Sequence, residues 1–163
     1  MPLRTIRLLV VEDSPSFQYL LKDAFSNRDE IRWELTIAED GEKALSLLFE
    51  EEDENVPLPN LILLDWNLPK VSGSEVLQRI KRHDKLRRIP VLVFSSSEAD
   101  EDIHTAYDNH ANGYINKPLS AELWMPLWKR WSASGLGWPN CRRSHVAELQ
   151  PSRTSDRLIP EET

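Results

Sequence analysis

The sequence has little cysteine, no long apolar run near its start and no excess of positive charge. Its one cysteine, Cys141, has no second thiol for an internal disulfide and no companion at a metal-ligand spacing. The apolar run Leu8–Val11 stops at Glu12 and Asp13, so it is too short for a signal-peptide core or a membrane span. We therefore expect a cytoplasmic protein, and the cysteine usage is compatible with a reducing compartment.

The charge balance is negative, with 20 Lys and Arg against 27 Asp and Glu, a net charge of −7. A negative body repels both phosphate backbones and anionic lipid surfaces. Neither nucleic acid nor membrane is therefore an expected partner. The last 29 residues also lack a helix-turn-helix pattern, which disfavours a DNA-binding regulator.

The length and composition fit one α/β domain followed by a tail. The chain has 163 residues, of which 40% are hydrophobic and 29% charged, values typical of a globular protein with a buried core. From Gly135 onward the sequence is rich in Gly, Pro, Ser and Arg without periodicity. We predict one folded domain over residues 1–134 and a disordered tail over residues 135–163.

Short apolar segments alternate with helical patterns along the domain. The segments predicted as strands are Ile6–Val11, Trp33–Ala38, Leu61–Leu64, Val91–Phe94 and Gly113–Ile115. A first helix begins near Pro15, with Phe17, Leu20, Leu21, Ala24 and Phe25 facing inward, and a third helix carries Val76, Leu77 and Ile80. The second, fourth and fifth helices are predicted at Gly41–Phe49, Glu98–His110 and Ser120–Trp131. Pro126 is expected to bend the fifth helix. This alternation predicts a doubly wound parallel sheet, whose ligands lie outside the carboxyl ends of the strands.

Chemically active side chains stand at those strand ends. Glu12 and Asp13 follow the first strand, Asp65 the third, Ser95 the fourth and Lys117 the fifth. Three carboxylates that meet raise one another's pKa unless a cation neutralises them, and an all-oxygen site suits Mg²⁺ with retained waters. The pattern predicts a magnesium site at this edge of the sheet.

The same residues suit phosphoryl transfer. Asp65 is placed to attack phosphorus and form an acyl phosphate, while the metal, Lys117 and Ser95 neutralise the transferred oxygens. An aspartyl-phosphate phosphatase is an alternative, although such an enzyme would use a second acid two residues later, where Asn67 stands.

Four sequence blocks at these positions resemble the signatures of two-component response-regulator receiver domains over about residues 4–133: "LLVVED", "LILLDWNLPKVSG", "PVLVFSSSEA" and "GYINKP". Their joint occurrence in the right order is far more specific than any one of them. The resemblance implies a flavodoxin-like sheet of five parallel strands in the order 2-1-3-4-5, flanked by five helices.

The resemblance also implies a role for each site residue. The domain would catalyse its own phosphorylation and dephosphorylation, and would signal through the surface of its fourth helix, fifth strand and fifth helix. The implied roles are Glu12 and Asp13 as the Mg²⁺ acid pair, Asp65 as phosphoacceptor and metal ligand, Asn67 as a metal ligand through its backbone carbonyl, Ser95 as switch hydroxyl, Lys117 as phosphate clamp, and Tyr114 as the aromatic that turns inward on activation.

A narrower resemblance concerns the partner. The blocks "LLDWNLPKVSG" and "SSSEADEDIHTAYDNHANGYINKP" and the aromatic-rich last helix resemble the receiver-only regulators paired with bacterial and cyanobacterial phytochrome kinases. This implies phosphorylation by a sensor histidine kinase of phytochrome type and a homodimer through the region from the fourth to the fifth helix. A phosphate sink or phosphorelay intermediate is an alternative that the sequence does not separate from this function.

Purely structural interpretations exist for several of these residues. Glu12 and Asp13 would also favour the positive end of the first helix, and Ser95 would otherwise be an ordinary strand-end hydroxyl. Tyr114 would otherwise be a packed aromatic with its hydroxyl in water. The tryptophans of the last helix either cover the sheet or anchor a partner: Trp124, Trp128 and Trp131.

Overall fold

The computed structural model describes residues 4–26, 31–49 and 57–117. The elements are β1 (Arg4–Val11), α1 (Pro15–Ser26), β2 (Ile31–Ala38), α2 (Gly41–Phe49), β3 (Leu61–Asp65), α3 (Gly73–Arg82), a 3₁₀ turn (Leu86–Arg88), β4 (Val91–Ser95), α4 (Asp100–Asp108) and β5 (Gly113–Asn116). All neighbouring strands pair in parallel in the order β2-β1-β3-β4-β5, which confirms the predicted sheet. The predicted fifth helix and the tail lie outside the described residues.

The predicted bounds differ most at α4. The prediction ran from Glu98 to His110, whereas the helix begins after Ala99, an extended N-cap residue, and ends at Asp108. His110 then has a φ of 64°, in the left-handed region that ends a helix. The first two strands each begin two residues earlier than predicted, and α2 has the predicted bounds.

The two faces of the sheet carry separate apolar clusters. Leu8 and Val10 pack with Leu21 and Phe25 of α1, whereas Leu9 and Val11 point to the face covered by α2, α3 and α4. Every residue of β3 is buried, as expected for a central parallel strand covered on both sides. The prediction that Leu20 of α1 faces the core was wrong, since Leu20 is half-buried and belongs to neither cluster.

The register of the strands brings their carboxyl ends to one edge. Val11 pairs with Leu64, Asp65 pairs with Phe94, and Ser95 pairs with Asn116. The ladder continues one residue further on both sides, since the Glu12 amide donates to Ala38 O at 3.0 Å and the Lys117 amide donates to Ser95 O at 2.7 Å. Side chains that follow these strands therefore meet above the centre of the sheet.

Helix α3 starts directly behind the β3 end. Its N-cap residue Ser72 accepts a hydrogen bond from the Glu75 amide at 3.3 Å. Its first residue, Gly73, packs so closely that a Cβ there would lie 2.2 Å from the carbonyl oxygen of Asp65. Glycine therefore lets this helix support the backbone of Asp65. None of the helices in the described ranges has the length and apolarity needed to cross a membrane.

Candidate functional site

Three carboxylates meet at the sheet edge. Oxygen atoms of Glu12, Asp13 and Asp65 all lie within 4.8 Å of one another. Glu12 and Asp65 are buried, with 1% and 4% of their surfaces exposed, whereas Asp13 is exposed. The cluster is therefore anchored in the fold on one side and open to solvent on the other.

The ammonium group of Lys117 lies against two of these carboxylates. Its Nζ atom is 2.7 Å from Glu12 Oε2 and 2.8 Å from Asp65 Oδ2. The rings of Phe17 and Phe94 complete the surroundings, with centroids 4.7 Å and 5.3 Å from Nζ. Lys117 is therefore held by charge pairing and by cation–π contacts in a largely buried position.

Burial raises the pKa of the Glu12 carboxyl above its ordinary value. The hydrogen bond from Lys117 acts in the opposite direction, and the neighbouring charge of Asp65 adds to the rise. One ammonium therefore offsets only part of the electrostatic cost of holding these carboxylates together. A further cation at the cluster would stabilise the charged form of Glu12.

The donor set fits a hard divalent cation. Carboxylate oxygens are the ligands that Mg²⁺ and similar ions take in proteins, and Mg²⁺ usually keeps several waters. Glu12, Asp13 and Asp65 supply such oxygens, and the exposed side of Asp13 leaves room for solvent ligands.

Asn67 connects Asp65 to Ser95. Its backbone amide donates to Asp65 Oδ1 at 3.1 Å, and its side-chain amide donates to Ser95 Oγ at 3.5 Å. Ser95 is fully buried, and its Oγ also accepts the Ser97 amide at 3.1 Å. The structure thus brings all the strand-end residues selected from the sequence into one site.

Tyr114 lies inward beside this site. It is 7% exposed, and its hydroxyl donates to the Ser97 carbonyl at 2.9 Å. The interpretation of a hydroxyl in water is therefore wrong, and burial raises the pKa of the Tyr114 phenol. The aromatic ring is therefore packed inside the fold in this structure.

Trp66 and Asp102 are among the residues at the site that the sequence reasoning missed. The Trp66 indole Nε1 donates to Asp102 Oδ1 at 3.0 Å, and Ser97 Oγ donates to Asp102 Oδ2 at 2.5 Å. Trp66 could have been noticed because it follows Asp65. Asp102 is one of three acids in the first turn of α4, and no sequence signal distinguishes it from Asp100 and Glu101.

The site can therefore present a carboxylate nucleophile together with fixed positive charge. Both oxygens of Asp65 have a donor, from the Asn67 amide and from Lys117. An ammonium and a divalent cation beside a carboxylate are the groups that neutralise a transferring phosphoryl group.

Comparison with known proteins gives a family match over most of the chain. The model of the response regulator receiver domain matches residues 8–125. "Probable methanogenesis regulatory protein FilR2" of Methanothrix harundinacea is 40% identical over 134 residues, covering 80% of this chain and 84% of that protein. "Response regulator Rcp1" of Synechocystis sp. is 43% identical over 111 residues, covering 68% of this chain and 75% of Rcp1.

Solved structures of similar proteins share the architecture. A crystal structure of the phosphorylated cyanobacterial phytochrome response regulator RcpA superposes with a TM-score of 0.72 at 36% identity, covering 80% of this chain and 96% of RcpA. The Mn²⁺-bound form of Rcp1 gives a TM-score of 0.69 at 37% identity, covering 77% of this chain and 94% of that structure.

Proposed function

Because the chain belongs to the response regulator receiver domain family, we propose that Asp65 is the residue that accepts the phosphoryl group. Receiver domains are phosphorylated by sensor kinases and act as signalling switches rather than as ordinary enzymes. The observation that carries the proposal is the buried Asp65 carboxylate, which lies beside Lys117 and within the acidic cluster.

The residues around Asp65 fit each part of the transfer. A carboxylate oxygen forms the bond to phosphorus as the bond from phosphorus to the kinase histidine breaks, and the released imidazole nitrogen takes up a proton. Lys117 is placed to pair with the transferred oxygens, and the Ser95 hydroxyl is placed to donate to them. These groups all come from this chain, which supports self-catalysed phosphorylation and dephosphorylation.

We propose Mg²⁺ as the physiological ion. Receiver domains bind a divalent metal, and Glu12, Asp13 and Asp65 are the side chains that would hold it, with the Asn67 backbone carbonyl as a further ligand by family resemblance. When bound, the ion would neutralise charge on the phosphoryl oxygens. The oxygen-only donor set supports this proposal.

The proposed output is the surface formed by α4, β5 and the segment that follows β5. Ser95 and Tyr114 are the proposed switch residues. The Ser97 backbone contacts both of them, so a movement of one can be passed to the other. The upstream partner is proposed to be a sensor histidine kinase of phytochrome type, which the similarity to RcpA supports.

We further propose that the protein is cytoplasmic and forms a homodimer through the region from α4 to the predicted fifth helix. We also propose that it does not bind nucleic acid, which its net charge of −7 supports. Light scattering with and without a phosphoryl mimic would test the homodimer, and a single monomeric mass in both conditions would contradict it.

Replacement of Asp65 is the central test. Wild-type protein and Asp65→Asn are incubated with a small radioactive phosphodonor and Mg²⁺, with Asp84→Asn as a control for loss of an exposed acid. We expect label on the wild type and the control, and none on Asp65→Asn. Equal labelling of all three proteins would refute the assignment.

Transfer from purified kinases would then identify the partner class. Transfer from a red-light-sensing kinase well above transfer from other kinases is expected. Equal transfer from all of them would contradict a dedicated phytochrome pairing. Onward transfer from Asp65 to a second histidine protein would favour the relay alternative.

A further inference from the structure

Asp102 connects two loops of the site through its carboxylate. One oxygen accepts the indole N–H of Trp66 at 3.0 Å, and the other accepts the hydroxyl of Ser97 at 2.5 Å. Trp66 directly follows the proposed phosphoacceptor, and Ser97 lies two residues after the proposed switch hydroxyl. A residue on the first turn of α4 thus holds both the β3–α3 and the β4–α4 loops.

Ser97 is held at each of its polar groups. Besides its bond to Asp102, its hydroxyl oxygen accepts the Ala99 amide at 3.3 Å. Its carbonyl accepts the Tyr114 hydroxyl at 2.9 Å, and its amide donates to Ser95 Oγ at 3.1 Å. The position of Ser97 therefore determines the surroundings of both switch residues.

These contacts orient the Ser95 hydroxyl group. Its oxygen accepts the Ser97 amide and, at 3.5 Å, the side-chain amide of Asn67. A serine oxygen has two acceptor sites and one proton. Two donors thus converge on the Ser95 oxygen, and the Tyr114 phenol is a further hydrogen-bonding neighbour of Ser95. The position of Ser97 therefore influences the direction in which the Ser95 hydroxyl can donate.

We propose that Asp102 is a positioning residue for phosphoryl binding, which acts by holding Ser97 so that Ser95 and Tyr114 are arranged before the phosphoryl group binds. The proposal rests on the proposed role of Asp65. Because the loop is already ordered, less conformational entropy is lost on binding, and affinity rises. In Asp102→Asn one acceptor oxygen becomes an amide NH₂ group, so the charge-assisted bond from the Ser97 hydroxyl is broken or replaced by a weaker neutral bond, which loosens the loop.

The test compares binding of beryllium fluoride, a tetrahedral phosphoryl mimic, with binding of Mg²⁺ alone, both by calorimetry. Asp102→Asn is expected to weaken binding of beryllium fluoride about tenfold, which corresponds to about 1.4 kcal/mol. Its affinity for Mg²⁺ is expected to stay unchanged, because the acidic cluster lies on other elements. The matched control Asp100→Asn removes an exposed acid from the same helical turn and is expected to bind both ligands like the wild type.

A double variant tests whether Asp102 acts through the Ser97 hydroxyl. In a Ser97→Ala background, Asp102→Asn is expected to cause little further loss, because its effect passes through the Ser97 hydroxyl. The inference would be overturned if Asp102→Asn behaved like the control, if it weakened Mg²⁺ binding in parallel, or if its effect persisted in full without Ser97. Failure of the wild type to bind beryllium fluoride would overturn the proposed function, and this inference with it.

Discussion

The Lys117 ammonium is surrounded by two carboxylates and two aromatic rings, so its position depends on uncharged as well as charged neighbours. Phe17 contributes twice, by its contact with Nζ at 4.7 Å and by an edge-on contact with Phe94 at a centroid distance of 5.9 Å. Both contacts require an aromatic ring. A leucine would keep much of the apolar volume and lose the ring electrostatics.

We therefore expect Phe17→Leu to lower the free energy of unfolding by about 1–2 kcal/mol, the combined magnitude of a partly buried cation–π contact and an aromatic pair. Urea denaturation measures this. Tyr19→Leu is the matched control, because Tyr19 lies on the same helix with 72% of its surface exposed, and its expected change is within about 0.5 kcal/mol. Equal changes in the two variants would show that the ring contacts of Phe17 contribute nothing.

Sequence reasoning at the residue level worked where topology alone brings residues together. Glu12, Asp65 and Lys117 each lie at the carboxyl end of a parallel strand, and a parallel sheet places such residues at one edge. It failed for Trp66 and Asp102, whose hydrogen bond joins positions 36 residues apart. That bond depends on how the β3–α3 loop and the first turn of α4 approach each other in the fold, which no local pattern specifies.

At the level of elements, the end of α4 is a Schellman motif with an unfavourable residue at its left-handed position. The Ala111 amide donates to Ala106 O, and the His110 amide donates to Tyr107 O, both at 2.9 Å. His110 has a φ of 64°, which strains a residue with a Cβ and suits glycine.

His110→Gly is therefore expected to raise the free energy of unfolding by about 0.5–1 kcal/mol, after allowance for the larger unfolded-state entropy of glycine. The same replacement at His104, an exposed residue inside α4, is expected to lower it by about 0.5 kcal/mol. Urea midpoints of the two variants should thus move in opposite directions. A shift in the same direction would contradict the strain at His110.

The errors in predicted bounds have the same origin. The residues that flank α4 include neither glycine nor proline, so the predicted helix ran on to Glu98 and His110. Backbone conformation ends it earlier, with Ala99 extended and His110 left-handed. By contrast, the bounds of α2 were predicted correctly, because Phe49 is followed by an acidic stretch that contains proline.

At the scale of the whole molecule, folding itself assembles a cluster of negative charge in a chain that is already negative. Burial raises the pKa of Glu12, so the fold is less stable when that carboxyl is charged. A cation that binds this cluster only in the folded chain therefore stabilises the entire domain.

Magnesium is accordingly expected to raise the free energy of unfolding by about 2.7 kcal/mol at a concentration of 100 times its Kd. Asp13→Asn should remove most of this gain, yet be neutral or slightly stabilising without added metal, because it relieves repulsion from Glu12 and Asp65. Asp84→Asn, whose side chain is 93% exposed and lies outside the cluster, should keep the full gain. Thermal unfolding of the three proteins with Mg²⁺ and with chelator measures both effects. Full metal stabilisation of Asp13→Asn would show that Asp13 is not a ligand, since a lost carboxylate ligand must weaken an ion bound by so few protein oxygens.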